Sequence, residues 1–312
     1  MADRSEPGRV PNEKPAKALP RRTRGLVDPT ELPRPSAHAE PWAGGDAFNP
    51  AVPNVARIYD FLLGGKDNFE ADRRAAQELV QAVPGAVTAA RENREFLRRA
   101  VRFLAQEAGI RQFLDIGTGL PTSGNVHEIA HEADPKARVV YADNDPVVIV
   151  HANALLATDP TVAAIFSDLR VPRHLLETLS FRSLLDLDEP IAILMVAVLH
   201  FIEDHEDPWA AVDEFKSAMS PGSYLVLSHV TGDDIPDDAR RRAGEIYENA
   251  SAPGVARNHA QVARFFDGLA MLDPGLVSVN DWRPALERRR HEPALFYAGV
   301  GRKPAFAPEG QQ

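Results

Sequence analysis

Apolar residues alternate between strand-like and helix-like spacing along the chain from residue 111 onward. Short apolar runs such as "QFLDI" and "PIAILMVAV" have the length of buried strands, and longer amphipathic stretches separate them. The pattern predicts strands at 111–116, 137–143, 162–168, 190–198, 222–230, 275–280 and 294–303. It predicts helices at 122–133, 146–157, 172–185, 208–219, 237–250 and 259–269. This alternation, without a hairpin signal until the end, predicts an α/β fold with a doubly wound, mostly parallel sheet covered by helices on both faces.

Three helices are predicted before the first strand. The first follows Asn54, a residue type that caps helices, and ends at the pair Gly64–Gly65. The second and third cover about 70–83 and 87–108. We therefore predict an N-terminal helical cap over residues 51–110 and a sheet domain over 111–303. The turn "GGKDNF" suggests the hypothesis that the cap is a lid over a ligand, and an ordinary interhelical loop is the alternative.

The first 50 residues differ from the rest in composition. Ten of the 26 prolines fall within the first 53 residues, and residues 1–35 carry eight Lys/Arg against five Asp/Glu. Such a segment cannot bury enough apolar surface to offset its ordering entropy, so it is predicted to be a disordered, proline-rich arm over 1–50. Residues 304–312 are predicted to form a short flexible tail.

Composition excludes several classes of function. The net charge of −10 gives no general electrostatic basis for binding nucleic acid. The chain has no cysteine, which excludes disulfides, thiolate nucleophiles and cysteine-based zinc sites. The longest apolar run, 191–199, is too short for a membrane helix, and the N-terminus lacks the apolar core of a secretory signal. We expect a cytoplasmic protein without a membrane segment; the oligomeric state is left open.

The turn "DIGTG" follows the first strand of the sheet domain and begins with Asp115. A dinucleotide fingerprint would need a third glycine at position 122, where the chain has threonine. A carboxylate two residues before Gly117 is poorly placed beside a pyrophosphate but suits a ligand with an ammonium group. S-adenosylmethionine carries an ammonium and a sulfonium and has no phosphate, and its carboxylate could use the amides of the glycine turn, which includes Thr118 and Gly119.

Two further acids come at the next two strand ends. Asp143 ends the second strand, where a carboxylate can accept both ribose hydroxyls, and Asp168 ends the third, where a side chain can reach the adenine amino group. Aspartate is also common after strands as a turn or cap residue, which is the alternative for both. The predicted cofactor site also includes neighbouring positions at these and the fourth strand end: Asn144, Leu169 and Val196.

Several stretches taken together resemble a known family. "LDIGTGLPT", "YADNDP" and "VAVLHF" resemble class I S-adenosylmethionine-dependent methyltransferases. "NVARIYDFLLGGKDNFEADR", "ENREFL" and "PGSYLVLSH" are similar to an actinobacterial S-adenosyl methyltransferase family long catalogued as a domain of unknown function. The resemblance covers roughly residues 52–303. It implies a seven-stranded Rossmann-like methyltransferase sheet with a helical cap, and cofactor contacts at Asp115, Gly117, Gly119, Asp143 and Asp168; it implies no acceptor.

The stretch "HEIAH" has the histidine spacing of zinc-protease helices. The apolar stripe of the same helix runs through Val126, Ile129 and Ala130, which places His127 and His131 away from its centre. No third-ligand motif follows, so no metal site is predicted.

His200 follows the fourth strand, at the position that faces the reacting methyl group in this fold. It could orient or deprotonate an acceptor, because histidine titrates near neutral pH, although a packed histidine is the simpler interpretation. Tyr59 is a weaker candidate of the same kind. Transfer of a methyl group from a sulfonium can depend largely on positioning, so no general base is required.

The sequence therefore predicts an S-adenosylmethionine-dependent methyltransferase acting on a small-molecule acceptor of unknown identity. Two alternatives remain open. One is a non-catalytic protein that binds the same cofactor for regulation, since its binding residues would look the same. The other is an NAD(P)-dependent oxidoreductase, which Asp115 and the missing third glycine disfavour.

Overall fold

The computed structural model describes residues 49–122, 124–156, 159–284 and 295–305. The predicted arm, 1–50, lies outside this part of the chain except for its last two residues, and the predicted tail, 304–312, lies outside it except for its first two. The strands are Gln112–Ile116 (β1), Arg138–Asp143 (β2), Val162–Phe166 (β3), Ala192–Val196 (β4), Tyr224–Val230 (β5), Ala270–Met271 (β6), Val277–Ser278 (β7) and Phe296–Arg302 (β8). The helices are Val55–Leu63 (α1), Glu70–Ala82 (α2), Ala86–Gln106 (α3), Val126–Ala133 (α4), Pro146–Leu156 (α5), Pro172–Glu177 (α6), Leu179–Leu184 (α7), Pro208–Ala218 (α8), Asp237–Glu248 (α9) and His259–Ala263 (α10).

The strands form one mixed sheet in the order β3-β2-β1-β4-β5-β8. The pairings among β1 to β5 are parallel, with Leu114 of β1 opposite Val140 of β2 on one side and Ile193 of β4 on the other. Strand β8 runs antiparallel to β5. The predicted α/β class and doubly wound sheet are therefore confirmed.

Within the described residues the sheet has eight strands, not the predicted seven. Both β6 and β7 pair antiparallel with the outer side of β8, β6 at its end and β7 near its start. Each has only two residues, so two short strands together occupy the edge position where a single strand would otherwise pair with β8. The strand predicted at 275–280 is reduced to β7, and β6 was not predicted because two residues show no periodicity.

The strand order reverses beside β1, which lies between β2 and β4. Helical connections leave the sheet on opposite faces there, so a crevice opens at the carboxyl ends of these strands. The glycine turn and the three acids predicted for the cofactor all lie at or just after the carboxyl ends of β1, β2 and β3. The topology therefore brings them to one edge of the sheet.

The two faces of the sheet bury separate apolar clusters. Helix α3 covers one face with Phe96, Val101 and Leu104, which are almost fully buried. The other face packs against side chains from the helices after β3 and β4, including Phe181 and Phe215. Burial on both faces explains the continuous apolar run of β4.

A third apolar cluster holds the helical cap together. It contains Ile58 and Leu62 of α1 and Leu79 of α2, and Ile246 and Tyr247 of α9 pack against it. Helix α9 lies between β5 and β6 in sequence, so the cap is built from two distant parts of the chain. The sequence predicted α9 but not its packing against α1 and α2.

Three helices differ clearly from their predicted bounds. The helix predicted at 259–269 is α-helical only over His259–Ala263 and continues as a 3-10 turn over Arg264–Phe266. The helix predicted at 172–185 divides at Thr178, whose extended backbone ends α6 and whose hydroxyl accepts from the Phe181 N–H to start α7. The helix predicted from 122 begins at Val126, because Asn125 and Glu128 form a capping box there. Within the described residues, no helix combines the length and the apolarity that crossing a bilayer requires.

Candidate cofactor site

The glycine turn after β1 has a fixed backbone path. Gly117 and Gly119 have φ angles of 70° and 65°, a left-handed conformation that favours glycine. The Gly117 N–H donates to the Ala142 carbonyl of β2 at 2.8 Å. A Cβ on Gly117 would also overlap the side chain of Val198, which follows β4. The turn is therefore held between the ends of β2 and β4, with room only for glycine at 117.

Asp115 lies in β1, just before this turn, and is 5% exposed. Its carboxylate accepts a hydrogen bond from the Thr118 hydroxyl at 3.2 Å. Burial raises the pKa of Asp115 to about 6, even though the positive charge of Arg94 and the Thr118 bond act in the opposite direction. A cation placed beside this carboxylate would be stabilised by it, as the sequence predicted for an ammonium group.

Asp143, at the end of β2, is also buried, and its two carboxylate oxygens are arranged by the backbone. One accepts from the Gly119 N–H at 2.9 Å, and the other accepts from the Asp145 N–H at 2.9 Å. Burial raises the pKa of Asp143 to about 6, and the backbone bonds oppose the rise. The carboxylate is thus fixed against the glycine turn, and each oxygen retains capacity to accept from a ligand hydroxyl.

Asp168 follows β3 and is more exposed than the other two acids. Arg170 binds its carboxylate through the guanidinium group and the backbone N–H, and Arg170 also donates to Glu206 at 2.6 Å. Burial raises the pKa of Asp168, but the Arg170 bonds and a bond from Asn144 outweigh it and hold the pKa below its usual value. The neighbouring Leu169 is buried. If Asp168 contacts the adenine amino group as predicted, its carboxylate must accept from the adenine and from Arg170 at the same time.

The segment after β4 closes the crevice opposite the glycine turn. Val196 ends the strand, and Ala197 has a φ of 58°, which is unusual for a residue with a side chain. The Ala197 N–H donates to the Ser228 hydroxyl of β5 at 3.0 Å, which holds this conformation. Strained residues of this kind cluster at ligand sites. Here the turn directs Val198 onto Gly117.

His200 lies just beyond, buried among aromatic rings. Its ring is 4.2 Å from that of Phe201 and 5.5 Å from that of His229, measured between centroids. Its Nδ1 atom is buried without a hydrogen-bond partner. Burial lowers the pKa of His200 well below its usual value, and the positive charge of Arg257 adds to the effect. The side chain is therefore a neutral imidazole and a weak base.

The neighbouring His229 is committed to structure. Its Nδ1 is 2.7 Å from the Val230 carbonyl and therefore carries the proton, while Nε2 accepts from Arg257 at 2.9 Å. Burial lowers the pKa of His229 to about 3. Arg257 is 1% exposed and also donates to the Leu199 and Ile202 carbonyls. This arginine fixes the loop after β4 that carries His200.

Tyr59 belongs to a chain of hydrogen-bonded polar groups that joins the cap to the sheet. Its hydroxyl donates to the Ala90 carbonyl at 3.1 Å and accepts from the Asn93 amide at 2.9 Å. Asn93 in turn accepts from the Ser228 hydroxyl at 2.5 Å. Burial raises the pKa of Tyr59. The hydroxyl is therefore occupied and neutral, which suits a positioning role better than proton abstraction.

The residues of the "GGKDNF" turn are explained by their contacts within the turn and with α1. Asp60 of α1 is buried, and its carboxylate accepts from the Asp67 N–H at 3.0 Å and the Asn68 amide at 2.8 Å. Gly64 ends α1 with a φ of 83°, and a Cβ on Gly65 would overlap the Asp60 carboxylate. Both glycines are thus required by the turn itself. The hypothesis of a lid stays a prediction.

One hydrogen bond links the cap directly to the cofactor crevice. Asn54 caps α1 by accepting from the Ala56 and Arg57 N–H groups, and its amide donates to Asp145 at 2.7 Å. Asp145 also caps α5 by accepting from the Val147 N–H. The Asp145 N–H in turn donates to Asp143, the residue predicted to bind the ribose. Two hydrogen bonds therefore connect Asn54, at the start of the cap, to Asp143.

The histidines of "HEIAH" have structural partners. His127 Nδ1 accepts from the Tyr141 hydroxyl at 2.8 Å, since that oxygen accepts from the His127 N–H. His131 Nε2 is 2.9 Å from the Ala137 carbonyl. Burial lowers the pKa of His127. No group of three or more metal-ligating His, Asp or Glu side chains comes together in the part of the chain that the structure describes.

Sequence reasoning missed Arg94, whose guanidinium lies beside the glycine turn. It donates to the Asn125 side-chain oxygen at 3.3 Å, and its charge lowers the pKa of Asp115. Asn93 and Arg94 belong to the "ENREFL" stretch, which stood out only by resemblance. Arg94 has Arg91 and Arg98 beside it on the helix, so no local signal in the sequence distinguished it.

Comparison with known proteins places these features in a family. A family model described as S-adenosyl methyltransferase matches residues 44–304. A crystal structure of a Thermobifida fusca YX protein, a candidate methyltransferase, is 42% identical, covers 82% of this chain and 96% of its own, and has a TM-score of 0.77. A DUF574 family protein from Streptomyces avermitilis MA-4680 is 39% identical, covers 81% and 98%, and has the same TM-score. No curated protein matches significantly.

Proposed function

This chain belongs to the S-adenosyl methyltransferase family, with S-adenosylmethionine as cofactor, and from that premise we propose that it methylates a small-molecule acceptor. When bound, S-adenosylmethionine supplies a methyl group that is activated by attachment to a sulfonium. The observation that carries the proposal is the pair of buried carboxylates, Asp115 and Asp143, on either side of the Gly117–Gly119 turn. Their environment stabilises a cationic ligand and opposes the phosphates of a nicotinamide dinucleotide.

The three predicted acids and Leu169 have distinct roles in this proposal. Asp115 would accept from the ammonium group, Asp143 from the ribose hydroxyls, and the Asp168 region would border the adenine, with Leu169 beside it. The Ala197–Val198 turn would shape the methyl end, because Val198 lies against Gly117. Hydrogen bonds to charged groups each contribute about 1.5–3 kcal/mol, so two such anchors supply about 3–6 kcal/mol of the roughly 8 kcal/mol that micromolar binding requires.

The acceptor would approach from the side of the cap. An acceptor heteroatom would donate its lone pair to the methyl carbon, and the electrons of the carbon–sulfur bond would stay on sulfur, leaving S-adenosylhomocysteine. Any proton on the acceptor atom would be released to solvent. His200 is neutral and Tyr59 is occupied, so we propose that these residues position the acceptor and that alignment supplies most of the rate.

Calorimetric titration with S-adenosylmethionine, S-adenosylhomocysteine and NADH tests the cofactor class. We expect binding of both sulfur nucleosides and none of NADH. Tight binding of NADH with no response to either sulfur nucleoside would instead support the oxidoreductase alternative.

Transfer needs a separate test, because a regulatory protein would bind the same cofactor. The purified protein is incubated with S-adenosylmethionine labelled in the methyl group and with a small-molecule extract. We expect label in a new small molecule together with S-adenosylhomocysteine, and no label with the Asp115→Ala variant. Binding without transfer to any acceptor across such extracts would favour the regulatory alternative.

A further inference from the structure

Two buried polar atoms beside the glycine turn lack hydrogen-bond partners. They are Nε of Arg94, on α3, and the hydroxyl oxygen of Thr122, in the loop before α4. Both residues contact the same acceptor: Arg94 Nη2 donates to Asn125 Oδ1 at 3.3 Å, and the Thr122 N–H donates to it at 3.2 Å. Two unsatisfied donors therefore belong to residues that share one asparagine as a hydrogen-bond partner. Buried donors of this kind are costly unless a ligand satisfies them.

The charges in this corner are complementary but not in contact. The positive charge of Arg94 lowers the pKa of Asp115, so the guanidinium and the carboxylate are close enough to interact. Arg94 forms its hydrogen bond with Asn125 instead of an ion pair with Asp115. A cationic group and an anionic group thus lie near each other without forming an ion pair. An α-amino acid, which carries an ammonium and a carboxylate on one carbon, has the matching charges.

The rotation of α3 is fixed by the residue next to Arg94. Asn93 is 1% exposed and accepts from the Ser228 hydroxyl of β5, while its amide donates to Tyr59 of α1. These bonds hold the helix in register with the sheet and the cap. Arg94 is therefore presented to the turn by a rigid support, as a preorganised binding residue requires.

We propose that Arg94 and Thr122 bind the carboxylate of the methionyl group of S-adenosylmethionine, while Asp115 accepts from its ammonium. This inference rests on the proposed function and adds a subsite outside the glycine turn. Arg94 Nε and the Thr122 hydroxyl would each donate one hydrogen bond to the carboxylate. Bonds between a guanidinium and a carboxylate are charge-assisted and are about twice as strong as neutral ones. The subsite would distinguish ligands that carry the carboxylate from those that lack it.

The test compares two ligands that differ only in this group. One is S-adenosylhomocysteine, and the other is its analogue with hydrogen in place of the carboxylate, which keeps the ammonium. Calorimetry at about pH 8 keeps Asp115 ionised in the wild type, because its pKa is about 6 in the native protein. For the wild type we expect the carboxylate-bearing ligand to bind at least roughly tenfold more tightly.

Variants then assign that preference to particular residues. Arg94→Met should remove most of the preference and leave binding of the decarboxylated analogue nearly unchanged, and Thr122→Val should remove part of it. Arg102→Met is the matched control on the same helix, since Arg102 lies within 4.0 Å of Glu132 on the outer side of α4. It should leave both affinities as in the wild type. If Arg94→Met does not fold, the Thr122→Val variant and the ligand comparison still decide.

Two outcomes would overturn the subsite without touching the proposed function. One is a wild type that binds both ligands equally. The other is an Arg94→Met variant that weakens both to the same extent, which would show a merely structural arginine. Failure of the wild type to bind any sulfur nucleoside would instead overturn the proposed function and the subsite together.

Discussion

Asp115 and Asp143 combine burial with a predicted role as anions. Burial raises the pKa of each to about 6, above the usual value for aspartate. As pH rises from about 4 to about 6, the folded protein therefore holds more protons than the unfolded chain, and these two groups lower its stability over that window. A bound ammonium group would favour the ionised carboxylate and reverse part of this cost.

Cofactor affinity should consequently depend on pH. We expect S-adenosylhomocysteine to bind roughly tenfold more tightly at pH 7 than at pH 5 for each carboxylate that must ionise, with protons released on binding at pH 5. Calorimetry in two buffers of different ionisation enthalpy measures both effects. The Asp115→Asn variant should bind more weakly and show a flatter pH profile. A wild-type affinity that does not change between the two pH values would contradict this role of the buried acids.

Asp143 should be the most sensitive of the strand-end acids. Asp143→Ala removes the proposed ribose acceptor and the bond to the Gly119 N–H, so we expect binding of S-adenosylmethionine to weaken by roughly 10- to 1,000-fold. Asp143→Asn keeps an acceptor and should cost less.

Asp145→Ala is the matched control for Asp143→Ala. It removes the cap of α5 and the bond from Asn54, and should mainly lower stability. Calorimetry on the folded variants checks the order. An Asp145→Ala variant that binds less well than Asp143→Ala would place the ribose elsewhere.

Sequence reasoning could find the strand-end residues but not their partners. Asp115, Gly117 and Asp143 are predictable because a buried strand followed by a glycine turn defines where a side chain emerges. The engagement of Asp168 by Arg170 and the position of Arg94 beside the turn depend on side-chain rotamers and on how α3 packs. Those are properties of tertiary packing, which a local pattern does not contain.

At the scale of elements, the turn after α1 requires glycine at two adjacent positions for two different reasons. Gly64 has a left-handed φ and open space around it, whereas Gly65 lies against the Asp60 carboxylate. Gly64→Ala should therefore cost about 1–2 kcal/mol through backbone strain. Gly65→Ala should cost more, because Asp60 must move and lose its bonds to Asp67 and Asn68.

Denaturant unfolding measures both glycine variants, and a double-mutant cycle separates the causes. In an Asp60→Ala background the steric part of the Gly65→Ala penalty should disappear, while the Gly64→Ala penalty should remain. Equal penalties for Gly65→Ala in both backgrounds would mean that overlap with Asp60 is not the cause.

Elements with a strong local sequence signal were predictable, and features that depend on single side-chain bonds or on distant contacts were not. The parallel strands were predictable from their continuous apolar runs, and α1 from Asn54 and Gly64. The division of a helix at Thr178 was missed because a side-chain bond from one threonine decides it. The packing of α9 onto the cap was missed because α9 is separated from α1 by most of the chain.

For the whole molecule, the cap is predicted to be essential and the arm dispensable. Removing the arm, residues 1–50, should leave the melting temperature and the affinity for S-adenosylhomocysteine nearly unchanged. Removing residues 1–63 instead deletes α1, whose Ile58 and Leu62 are buried, and should lower the melting temperature strongly. Thermal unfolding and calorimetry compare the two truncations. A large loss from the shorter one would show that the arm contributes to the folded domain.

The division of one sheet edge between β6 and β7 affects how copies of this molecule meet in concentrated solution. A long, flat, unpaired strand offers a row of N–H and carbonyl groups on which another chain can add. On the outer side of β8, within the residues described, each covering strand has only two residues. Their own outer rims are too short to template a continuous intermolecular ladder. We therefore expect this side of the sheet to resist fibrillar self-association.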